Sequence, residues 1–70
     1  MEYAVVFERT STGWSAYVPD LPGLGVAAAT LEEAESLIRE GIGFHIGGLR
    51  EDGLPVPTPA AQVKKIAIPA

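Results

Sequence analysis

The chain contains no cysteine. Disulfides are therefore excluded, and thiolate metal sites with them. A single histidine, His45, excludes a histidine-rich metal site. No apolar run approaches the length that spans a bilayer. The N-terminus lacks the basic and apolar regions of a secretory leader. With neither an export signal nor cysteine, the cytoplasm is the expected compartment. Positive charge is scarce: five Lys and Arg stand against nine Asp and Glu, for a formal charge of −4. Such a surface repels phosphate backbones, which argues against direct nucleic-acid binding and suits a basic partner.

What remains is a 70-residue chain, long enough for one domain over residues 1–70. Folding at this size buries only about 60% of the surface the unfolded chain exposes, so stability is marginal. Small proteins add disulfides, a metal or self-association. The first two are excluded or unsupported here, so a homo-oligomer is expected. The apolar fraction of 47% is generous for so small an interior and points the same way.

Residues 2–9 read as a strand, with Tyr3, Val5 and Phe7 on one face and Ala4 and Val6 on the other. Thr10 to Gly13 is a turn cluster. Trp14 to Val18 reads as the returning strand, which Pro19 ends. Trp14 and Tyr17 have opposite parity, so one packs inward and the other faces out. Pro22 and Gly23 are the two central residues of a type II turn across Leu21 to Leu24. Leu24 to Ala29 reads as a third strand of small residues.

Thr30 and Glu33 form a capping box: the Thr30 hydroxyl takes the Glu33 amide, and the Glu33 carboxylate reaches back. Leu31, Ala34, Ile38, Ile42, Ile46 and Leu49 then fall on one helical stripe. Glu35 and Arg39 make an i, i+4 pair. The helix should end near Arg50, before Gly53 and Pro55. Pro55, Pro57 and Pro59 form a stiff connector. Val63 to Ile68 reads as a last strand. The expected order is β-β-β-α-β, an α+β architecture with one sheet and one helix.

Candidates for chemistry are few. Asp20 is expected to organise its turn through side-chain-to-backbone bonds. No set of three carboxylates is evident that would make it a metal ligand beside Glu2 and Glu8. His45 lies at the edge of the apolar stripe, with no spacing that ties it to Ser11, Ser15 or Ser36. No catalytic residue and no cofactor are expected. Gly41, Gly43, Gly47 and Gly48 are the odd feature, since four glycines in a helix cost on the order of 3–4 kcal/mol. Leu37, Gly41, Phe44 and Gly48 make a second strip that would let a partner or another copy approach. The alternative is a helix that frays near Gly47.

The loop Pro19-Asp20-Leu21-Pro22-Gly23, followed by Thr30-Leu31-Glu32-Glu33-Ala34-Glu35, resembles the HicB antitoxin family. Tyr3, Ala16 to Val18 and Arg50 to Gly53 match as well. The resemblance implies a truncated ribonuclease H-like fold and a role in masking HicA, a small basic ribonuclease toxin. It implies no enzyme activity. Many family members carry a further C-terminal DNA-binding segment, which these 70 residues do not include. Two other roles suit the same residues. One is a solitary oligomeric module with an unrelated protein partner, and the other is a residual metal-dependent nuclease.

Overall fold

The structure, a computed structural model, describes residues 1–70. Strands β1 (Val6–Arg9), β2 (Trp14–Tyr17) and β3 (Gly25–Ala28) precede one helix, α1 (Leu31–Glu51). The strands form an antiparallel sheet in the order β1-β2-β3. The architecture is α+β, one sheet with one helix packed on it.

The first strand is shorter than residues 2–9. Its register runs from Val6 opposite Tyr17 to Arg9 opposite Trp14. Continued backwards, the same register sets Ala4 opposite Pro19. Proline has no amide to donate, so the ladder stops short of it. At the other end the chain turns tightly, with the Thr10 amide donating to the Gly13 carbonyl at 2.9 Å. Gly13 itself is required there, because a Cβ would lie 2.2 Å from the Ala28 carbonyl oxygen.

The type II turn forms as the loop sequence requires. Gly23 has φ of +87°, and the Leu24 amide donates to the Leu21 carbonyl at 3.2 Å. This turn folds Leu21 into the core, where it is fully buried. Ala16 and Val18 point to the same side, and α1 lays Ala34 and Ile38 over them. Trp14 shares the parity of Ala16 and is half-buried, with the Arg9 guanidinium over its ring at 5.0 Å. Tyr17 faces out.

The helix begins at the Thr30 cap, whose hydroxyl accepts from the Glu33 amide at 3.1 Å. Only this half of the capping box is made. The exposed Glu33 carboxylate stays in water, which solvates it as well as the Thr30 amide would. Glu35 and Arg39 pair at 3.2 Å on the solvent face. The helix ends in a Schellman motif: the Leu54 amide donates to Leu49 and the Gly53 amide to Arg50. Gly53 supplies the required left-handed residue, at φ of +69°. The helix therefore runs unbroken through Gly47 and does not fray there.

A helix of 21 residues is about 31 Å long. A strand of four residues spans about 13 Å. The helix overhangs the sheet, and residues 54–61 return to Tyr3 and Asp20 at the end of the sheet. Asp20 does not organise its own turn, contrary to expectation. Its Oδ2 accepts the amides of Ala60 (3.0 Å) and Ala61 (3.1 Å), forty residues away. The Leu21 and Leu24 amides of that loop go to main-chain carbonyls, of Val18 and Leu21, and not to the Asp20 carboxylate. The Tyr3 hydroxyl donates to the Pro57 carbonyl. The fourth strand expected at Val63 to Ile68 does not join the sheet. The Asp20 clamp holds Ala60 and Ala61 level with β2, one strand in from the free edge of β1. Val63, Ile66 and Ile68 are left exposed.

Two outcomes check these assignments. Thr30→Ala removes the cap acceptor and should cost about 1 kcal/mol. In a thermal melt this lowers the midpoint by several degrees in so small a domain. Asp20→Ala should make opening of the returning segment easier by about 1 kcal/mol. Hydrogen exchange at Ala60 and Ala61 should then run about five-fold faster, with the core amides unchanged.

Candidate functional site

No group of three or more His, Asp or Glu side chains stands close enough together to hold a metal ion. His45 is half-buried on α1, while Ser11 and Ser36 are exposed. The features that stand out are apolar and lie on two surfaces.

The first surface is the outer face of the helix overhang. Phe44 is 88% exposed and Leu37 is 42% exposed. They are seven residues apart and so share one helix face. Gly47 and Gly48 lie three and four residues beyond Phe44, beside its ring. With Glu51 they line a shallow depression. A Cβ at Gly43, Gly47 or Gly48 would meet nothing within 4 Å, so the backbone there is bare. Gly41 belongs elsewhere. A Cβ at Gly41 would lie 3.1 Å from Leu24 Cδ1, and the residue is half-buried. Its role is to let α1 approach the loop after β2. The four-residue strip expected from the sequence therefore divides: Leu37, Phe44 and Gly48 face solvent, and Gly41 packs inside the chain.

Charge frames this surface. Glu40, one turn before Phe44, and Glu51, two turns after it, are both exposed. Asp52 follows at the C-cap. Carboxylates at a helix C-terminus oppose the helix dipole. Arg50 in the same turn favours the dipole, while Glu51 and Asp52 do not serve helix stability.

The second surface is a groove of about 360 Å³ between β1 and the helix. Tyr3, Val5 and Phe7 form one wall, and Ile38 and Ile42 the other. It exists because α1 packs over β2 and β3 and leaves the inner side of β1 half-covered. Residue periodicity put Tyr3, Val5 and Phe7 on one strand face, without deciding which face is inward, and Ile38 and Ile42 on one helical stripe. It carried no signal for the sideways placement of the helix, so the groove was not legible in the sequence. No helix is long and apolar enough to cross a membrane.

A family model described as a HicB-like antitoxin of bacterial toxin–antitoxin systems matches residues 3–69. An uncharacterised 14.9 kDa protein from the rep–hol intergenic region of Haemophilus phage HP1 is 41% identical over 64 residues. That alignment covers 89% of this chain and 48% of the phage protein, so the chain spans about half the length of the curated relative it matches. No solved structure gives a significant match. The match takes in the Pro19–Gly23 turn, the Thr30 cap, the helix and the returning segment together, and the chain belongs to the HicB-like antitoxin family.

Proposed function

We propose that this chain is an antitoxin that works in the cytoplasm by occlusion, covering a small, basic ribonuclease toxin of the HicA type. The observation that carries this reading is the antitoxin family match over residues 3–69. The helix overhang supplies the contact. Phe44 is the anchor, the bare backbone at Gly47 and Gly48 admits close approach, and Glu40 and Glu51 complement a basic surface. A few desolvated anchors carry most of the affinity in such interfaces, while charge complementarity raises the association rate. Masking makes and breaks no bond, so no catalytic group is needed. The chain also works as a homo-oligomer, which covers apolar surface that a small core leaves exposed.

Phe44→Glu should weaken binding of a HicA-type toxin by about 2 kcal/mol or more, roughly thirty-fold, in calorimetric titration. The protein should keep its melting temperature, since the ring touches solvent. Gly47→Ala with Gly48→Ala should separate two effects. Each alanine should add about 0.8–1 kcal/mol of stability, while toxin binding weakens. Unchanged affinity in both variants would move the contact off this face. The purified chain should leave single- and double-stranded RNA intact with Mg²⁺ or Mn²⁺ present. Cleavage that is lost on Asp20→Asn would replace masking with the nuclease alternative.

A further inference from the structure

We infer that residues 63–68 are an exchanged strand: the segment leaves its own chain and pairs with the β1 edge of a second copy, laying Ile66 and Ile68 into that copy's groove. The inference deepens the self-association part of the proposed function. It stands whether or not the helix overhang binds a toxin.

The segment has the composition of a strand and no ladder to sit in. Ile66 and Ile68 share one face, and they are 78% and 75% exposed. Val63 is 58% exposed. A compact chain of this length has a radius of gyration of about 11 Å. Here it is 13.7 Å. The chain is extended because the tail and the helix end find nothing to pack on.

The acceptor has the complementary defect. β1 is a free edge with unpaired backbone groups. Its inner residues Val5 and Phe7 are only half-covered, and the groove beside them opens towards that edge. A strand added there alternates its side chains in step with β1. Ile66 and Ile68 would cover Val5, Phe7 and Ile42. Lys64, on the same face, would meet a rim that carries Glu2, with Glu35 already paired to Arg39. The other edge, β3, offers no such groove, since the helix packs over it.

The tail is directed away from its own β1 edge. Continuing the β1–β2 register brings Tyr3 level with Asp20. The returning chain meets Tyr3 at Pro57 and then Asp20 at Ala60 and Ala61. It thus crosses the end of the sheet from β1 towards β2. By residue 61 it lies level with β2, one strand in from the β1 edge, and residues 63–68 beyond it join no strand of their own sheet. A two-fold exchange fills both grooves and closes the assembly.

The test uses the full chain in light scattering and analytical ultracentrifugation. The wild type should be a dimer or a larger even-numbered assembly. Ile66→Asp with Ile68→Asp should be monomeric, with helical circular dichroism retained because both side chains are exposed within one chain. Phe44→Glu should leave the assembly intact. A cysteine-free background allows a second measurement that does not depend on the first. Lys65→Cys combined in turn with Val6→Cys and with Glu8→Cys should cross-link between chains on mild oxidation. A wild type that is monomeric at high concentration overturns the proposal. So does a dimer that survives the double Asp variant, or one lost on Phe44→Glu, which would assign self-association to the helix face. Cross-links found only within single chains would show the tail folding back on its own sheet and would equally overturn it.

Discussion

The contact of Ile38 with Ala16, Val18 and Leu21 is the constraint on which the rest of the molecule depends. Only these four and Ala34 are fully buried. Each is positioned by a separate local device. The type II turn folds Leu21 inward, Pro19 ends the strand just beyond Val18, and the Thr30 cap sets the phase that points Ala34 and Ile38 at the sheet. Five buried residues cannot cover three strands. The helix must lie over two of them, and the third is left with its inner face half-open. The groove at β1 is thus a consequence of how small the core is and how it is centred.

Local chemistry made much of this visible beforehand. The turn at Pro22 and Gly23, the cap at Thr30, the part of the apolar stripe from Ala34 onward (Leu31 at its start is 42% exposed) and the helix end before Gly53 each depend on residues within a few positions of one another. Backbone sterics and hydrogen bonding decide those cases. The departures are all long-range. Asp20 reads as a turn residue because Asp is common in turns, yet its partners are amides forty residues on. Gly41 and Gly48 look equivalent on a helical wheel. Only the placement of Leu24 separates a packing glycine from an exposed one. Val63 to Ile68 carries a strand pattern that is correct as a propensity. Propensity does not say whose sheet a strand will join.

The Asp20 clamp bears on where that segment can go. Prolines at 55, 57 and 59 stiffen the returning chain. The Tyr3 and Asp20 contacts fix its heading at two points. A flexible connector would let the tail turn back on its own β1 edge at little entropic cost. A stiff one fastened at both points restricts that return.

The glycines of α1 separate what stability requires from what it does not. Gly41 has a packing reason, since a Cβ would press on Leu24 at 3.1 Å. Gly43, Gly47 and Gly48 have none, for space is open beside each. Alanine at those three positions would fit and would favour the helix by about 0.8–1 kcal/mol apiece. In a protein with five buried residues that is a large fraction of a marginal stability of 5–15 kcal/mol or less. Local rules are broken in this way where another requirement competes with folding. The breaks cluster around Phe44, the most exposed large apolar side chain in the molecule. They also coincide with carboxylates at the unfavourable end of the helix dipole. The bare backbone at Gly47 and Gly48 and the carboxylate of Glu51 lie on the same helix face as Phe44, the face to which the proposed function assigns the contact.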